Sequence, residues 1–198
     1  SAVPRTHLIS NSEYSVVVTV AGTGRSFYRN LDVTRWREDA TLDTWGQFLY
    51  IRDLTAGTYW SAGHAPICRK PDTFKAVFSI DKAEFQRRDG DMETHWEITV
   101  STENPTLTNH DDISHSVELT SFVELALMPH AADLAHPAYG KLFVETEYQS
   151  SVKALLAHRR PRTDRDPHIW AMHVAAADVP FDDESQYETS RADFLGRG

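Results

Sequence analysis

From Met92 to Val100 the chain alternates without a fault: Met92, Thr94, Trp96, Ile98 and Val100 fall on one side of an extended backbone, and Glu93, His95, Glu97 and Thr99 on the other. Successive strand side chains point to opposite faces, so such a segment closes one face on a core and leaves the other to water. A helix would scatter the same positions around its circumference. The period returns in TFKAVFSI, with Phe74, Ala76, Phe78 and Ile80 inward, and in SVELTSFVELAL, with Val117, Leu119, Val123, Leu125 and Leu127 on one face. YSVVVTV, FLYIRD, KLFVETEY, KALLAHR and HIWAMHV are further strand candidates.

Turn chemistry agrees. Asp89-Gly90 separates AEFQRR from METHWEITV, where a tight hairpin needs residues tolerant of positive φ, and LTAG before TYWSAG reads as a second hairpin. Only PHAADLAHPA, Pro129 to Ala138, has helix-like composition, and Pro137 closes it. Many short strands with almost no helix predict an all-β antiparallel sandwich of two sheets. With no repeat, low-complexity segment or linker in sight, residues 1–198 read as one domain.

A chain of 198 residues can bury a core without covalent staples. Cys68 is the only cysteine, which excludes an intrachain disulfide, fits a reducing compartment and reads as a buried structural thiol. The net charge of -9, spread without long runs, argues against a nucleic-acid or anionic-membrane partner, which wants the opposite sign. No stretch approaches the roughly 18 apolar residues of a membrane span, and SAVPRTHLIS lacks the layout of a signal peptide, so a soluble piece is expected.

The motifs that suggest chemistry are weak. AGTGRS, Ala21 to Ser26, has glycines but no following helix and no Gly-Lys-Ser/Thr ending, and reads as a plain glycine loop. Three histidine pairs are close, His110 with His115, His130 with His136 and His168 with His173, but none has a ligand spacing. NHDDISH remains a loop candidate that solvated turn residues explain equally well. There is no Gly-x-Ser-x-Gly elbow, and Cys68 has only His64 near it in sequence. The spacing of the many acids says nothing of the separation that paired-carboxylate hydrolysis needs. No catalytic residue, metal or cofactor is assigned.

TRWREDATLDTWGQFLYIRD, Thr34 to Asp53, concentrates aromatics and charges. An extended run places Arg35, Arg37 and Asp39 on one face and Trp36 and Glu38 on the other. An aromatic ring can stack on the C–H side of a pyranose while guanidinium and carboxylate groups bond its hydroxyls. Arg35, Trp36, Arg37, Glu38, Asp39, Asp43, Trp45 and Trp60 are therefore the candidate carbohydrate-binding residues. The competing reading, which residue types alone favour, is that the tryptophans fill the core and the charges pair among themselves.

The segments LISNSEYSVVVTVAGTGRSFY, LDVTRWREDATLDTWGQFLYIRD, YWSAGHAP, VELTSFVELAL, HPAYGKLFVETEY, LLAHRRPR and YETSRADFLGRG, taken in order, resemble one family over nearly the full length. It is the N-terminal β-sandwich domain of the cellobiose and chitobiose phosphorylases, in the version carried by bacterial cyclic β-1,2-glucan synthases. The resemblance implies a galactose-mutarotase-like β-supersandwich, excised from a parent whose catalytic helical barrel lies C-terminal to it. It implies a non-catalytic module that supports the barrel, contacts β-glucan or glucose oligosaccharides weakly and takes part in homodimerisation. The implied parent is a glycosyltransferase or glycoside phosphorylase of the bacterial inner membrane with this module on the cytoplasmic side.

The resemblance also moves the sugar-binding reading of Trp36 and Trp45 closer to the core reading. One departure stands out: relatives carry further residues before the LTN stretch, so a break or locally disordered chain is expected at Asn104-Pro105. Two alternatives stay open. One is an aldose-epimerase-like enzyme of the same fold, with His95 beside a glutamate on an exposed sheet face; the other is a pure dimerisation scaffold.

Overall fold

A computed structural model describes residues 5–37, 45–100, 104–164, 166–182 and 184–196. In chain order the strands are β1 (Thr6–Ser10), β2 (Tyr14–Thr19), β3 (Gly24–Tyr28), β4 (Leu31–Thr34), β5 (Gln47–Asp53), β6 (Thr58–Ser61), β7 (Thr73–Phe78) and β8 (Lys82–Asp89). They continue as β9 (Met92–Thr99), β10 (Asn104–Asn109), β11 (Val117–Val123), β12 (Leu125–Pro129), β13 (Val144–Gln149), β14 (Ala154–Arg159) and β15 (Ile169–Val174). The helices are short: α1 (His130–Ala135), α2 (Pro137–Lys141) and α3 (Arg191–Phe194). The expected all-β antiparallel class holds, and among the described residues the strands are ordered as four sheets.

The chain separates into two compact units, Ser1–Lys141 and Leu142–Gly198. The first holds three sheets, ordered β1-β2-β3-β4-β12, β10-β9-β8-β7 and β11-β5-β6. Its core forms where they face one another: Ile9 and Val18 come from the first, Phe85, Trp96 and Ile98 from the second, Ile51 and Trp60 from the third. The second unit holds the sheet β13-β14-β15 and α3. Among the described residues no helix is long and apolar enough to cross a membrane.

Strict alternation in β9 becomes strict alternation of burial, with Met92, Thr94, Trp96 and Ile98 inside. Asp89 pairs with Met92 around Gly90-Asp91, and Gly90 takes the positive φ (63°) that this turn requires. Asp53 pairs with Thr58 around the LTAG loop. AGTGRS is the β2–β3 hairpin, as its missing helix implied. There Gly22 lies so near Gly63 and the Trp96 ring that a Cβ would come within 3.0 and 3.2 Å of them.

Four expectations are corrected. Ile80 is 94% exposed, because β7 ends at Phe78 and Ile80 sits in the turn before Lys82. SVELTSFVELAL is not one strand: β11 pairs with β5, β12 pairs with β4, and Glu124 lies at the switch. Leu119 is consequently exposed while Leu127, at a bulge with φ 52°, is buried. The break expected at Asn104-Pro105 is absent, since both residues lie in β10 and pair with Glu97 and Trp96, while Ser101, Thr102 and Glu103 fall outside the described residues. As β10 is an edge strand, the missing N–H of Pro105 is tolerated there. Cys68 is exposed, not buried.

Candidate functional site

The aromatic and charged stretch meets the rest of its unit at the corner where β11 passes into β12. β4 ends at Thr34, and the Arg35 N–H donates to Glu124 O at 2.8 Å, while the Glu124 N–H donates to Gly46 O at 2.9 Å. Two segments from opposite halves of the unit are thereby locked by backbone bonds, and their side chains form an ionic cluster.

Arg35, only 1% exposed, donates through Nε to Asp133 Oδ2 at 3.1 Å and through Nη2 to Asp133 Oδ1, a two-pronged contact with α1. Its Nη1 lies 4.0 Å from Glu124 Oε1, beyond hydrogen-bond reach, and Glu124 is also paired with Lys141. Arg35 and Lys141 are thus balanced by Asp133 and Glu124, the neutrality that burial demands. Gly140 allows the assembly: a Cβ there would come 3.0 Å from Arg35 Nη2 and 3.0 Å from Met128 Sδ.

The ring of Trp45 lies against this cluster. The Arg35 guanidinium is 4.9 Å from its centroid, that of Arg37 5.6 Å and the Lys141 ammonium 5.8 Å. Trp36, Arg37 and Trp45 are half-buried, and Trp36 Nε1 is shielded without a hydrogen-bond partner among the described residues. The proposed face is therefore only partly a surface. Arg35, Arg37 and Trp45 come together, but Arg35 faces inward. Trp60 is elsewhere altogether, in the core at 1% exposure with Nε1 donating to Thr94 Oγ1 at 3.1 Å, so it offers a ligand no surface. Glu38, Asp39 and Asp43 lie outside the described residues. Glu124, Asp133 and Lys141 were missed because nothing local signals them; Asp133 is 98 positions from Arg35.

Two histidine clusters lie away from this corner. In NHDDISH, His115 Nδ1 lies 2.5 Å from Asp53 Oδ2 and its Nε2 2.9 Å from Asp111 Oδ2. Hydrogen bonds donated to Asp111 and then to Asp53 raise the His115 pKa, as expected of an imidazolium that donates from both nitrogens. Those from His115 and the Ile113 N–H hold Asp111 low. Burial pushes Asp53 up, but the Ala56 N–H, His115 and the Thr55 N–H together leave it below the ordinary carboxylate value. The loop is a proton-linked staple between β5 and the segment before β11. His95, on the outer face of β9, has its Nε2 3.3 Å from Glu84 Oε1, and Glu97 and Lys82 lie beside them.

The chain belongs to the family of the glycosyl hydrolase 94 supersandwich domain, which matches residues 1–198. Among its relatives, the cyclic beta-(1,2)-glucan synthase NdvB of Rhizobium meliloti (strain 1021) is 33% identical over 199 residues, covering 98% of this chain and 7% of its own. The solabiose phosphorylase of Paenibacillus borealis is 27% identical over 156 residues, 76% of this chain and 19% of its own. The N,N'-diacetylchitobiose phosphorylase of Vibrio proteolyticus is 31% identical over 90 residues, 44% of this chain and 10% of its own. The chain thus spans less than a fifth of the length of each of these relatives.

Proposed function

We propose that this chain is a non-catalytic support module of a β-glucan-processing enzyme, a cyclic β-1,2-glucan synthase or a related phosphorylase, in which it packs against a catalytic barrel and touches glucan weakly. One observation carries the reading. The same module recurs in relatives named for different sugars, a cyclic glucan, solabiose and diacetylchitobiose, so what it contributes is common to them and separable from substrate choice. Homodimerisation and a place on the cytoplasmic side of a bacterial inner membrane belong to the same proposal.

Within this reading the buried Arg35, Asp133 and Glu124, with the half-buried Lys141, hold the corner, and the half-buried rim of Trp36, Arg37 and Trp45 is where glucan makes contact. A partly covered ring captures little of a sugar and water competes for each hydroxyl, so millimolar affinity, about 4 kcal/mol, is expected. The test is titration of short β-1,2-glucans followed by tryptophan fluorescence and amide shifts, with Trp45→Ala and Arg37→Ala as controls. Shifts confined to this corner and lost in both variants support the contact. An unchanged spectrum at tens of millimolar sugar leaves a scaffold without ligand.

A further inference from the structure

The outer face of the β8–β9 hairpin carries an arrangement that the support role does not use. Glu84 and Glu97 are directly opposite one another in the register, and their side chains share the face with His95. Like charges directly opposite on neighbouring strands repel, so such a pair persists where a cation lies between them. Lys82 supplies one: its Nζ is 2.8 Å from Glu97 Oε2 and 3.2 Å from Glu84 Oε1. One ammonium between two carboxylates leaves a net charge of −1.

His95 is the independent observation. Its side chain is partly exposed, but its Nε2 is covered and makes no hydrogen bond among the described residues, although it lies 3.3 Å from Glu84 Oε1. If the ring proton is on Nδ1, the Nε2 lone pair faces a carboxylate; if it is on Nε2, the proton is misaligned with its acceptor. A cation between nitrogen and carboxylates resolves both cases. One ligand atom from each of Glu84, His95 and Glu97 already lies within 4.8 Å of the other two. Tetrahedral zinc, with bonds of about 2.0–2.2 Å, places its ligands roughly 3.4 Å apart, so modest rotamer changes close the site.

We propose that Glu84, His95 and Glu97 form a three-ligand site for a divalent transition metal of the zinc or cobalt type, and that the Lys82 ammonium competes with the metal for the two carboxylates. One imidazole and two carboxylates suit these ions better than magnesium or calcium, which favour oxygen-only sets. The metal would fasten β8 to β9 on the face opposite the core. The proposal is independent of the glucan reading.

The experiment is calorimetric titration of the 198-residue chain with Zn2+ and Co2+ near neutral pH, with the His95 ring nitrogens followed by NMR. We expect one site that shifts His95 Nε2, is weakened about tenfold or more in Glu84→Gln and in His95→Gln, and is strengthened in Lys82→Met, which removes the competitor. Zinc should also raise the unfolding midpoint of the native chain and not that of His95→Gln, since only a ligand of the folded state stabilises it. Binding of equal strength in the Glu84 and His95 variants would assign the metal to others of the ten histidines and overturn the proposal. So would an unmoved His95 at about 1 mM Zn2+, or a Lys82→Met variant that binds no tighter.

Discussion

Replacing Asp133 by alanine tests whether Arg35, at the start of the stretch Thr34 to Asp53, is anchored from within. In the native corner the Arg35 guanidinium, 1% exposed, makes a two-pronged contact with Asp133, and the four charges of the cluster cancel. The substitution leaves a buried cation whose nearest remaining acid is Glu124, 4.0 Å away and already engaged by Lys141. Breaking a buried pair by removing one partner costs about 3–5 kcal/mol, and the proximity of Glu124 argues for the lower end, about 3 kcal/mol. At roughly 2–4 °C per kcal/mol for a chain of this size, the melting midpoint should fall by about 6–12 °C. Urea unfolding followed by tryptophan fluorescence reads the change directly. The double variant Arg35→Met with Asp133→Leu removes both charges and keeps apolar bulk against Trp45 and Gly140, so it should recover much of the loss. A loss below about 1 kcal/mol in the single variant, or a double variant as unstable as the sum of the singles, would refute the buried-pair argument.

Three further outcomes follow from the same physics. Thr94→Val leaves the Trp60 indole N–H without its acceptor inside the core and should cost about 1–3 kcal/mol in urea unfolding. Gly90→Val forces a β-branched residue into φ 63° at the β8–β9 turn, where space is open, so the loss of about 1–2 kcal/mol is backbone strain, and Gly90→Asn should restore most of it. The His115 staple gives a signed pH dependence. Because the folded-state pKa of His115 is raised above its ordinary 6.5, its contribution is complete below about pH 6.5 and is lost as pH rises through the raised value. Asp111 and Asp53 are lowered from 3.8, so theirs is present above that value and fades as pH falls through the lowered ones. The stability gap between the native chain and His115→Gln should therefore be larger at pH 5.5 than at pH 8.5; equal gaps would mean that the histidine is not charged in the fold.

What could be read in advance was what depends on neighbours in sequence. Burial in β9 follows from period two alone, and the Gly90 turn from the φ that only a few residues tolerate. The failures share a different cause. Val117, Leu119, Val123, Leu125 and Leu127 keep one parity across Ser121, but the chain leaves one sheet for another at Glu124, and the bulge around Leu127 resets which face is inward. Alternation reports two faces without saying which sheet lies against each, so a strand that changes sheets cannot be told from one that runs on. Arg35 was misplaced for the same reason. Charge made it look like a surface group, whereas its burial is set by Asp133, 98 positions away, on a helix that the sequence announced only by composition. A long-range acid decides whether an arginine contacts ligand or holds the fold, and here it turns Arg35 inward while leaving Arg37 beside the same ring. The candidate contact residues therefore divide by topology rather than by type: those whose partners arrive from the β11–β12 switch, α1 and α2 build the corner, and those on its rim stay half-buried.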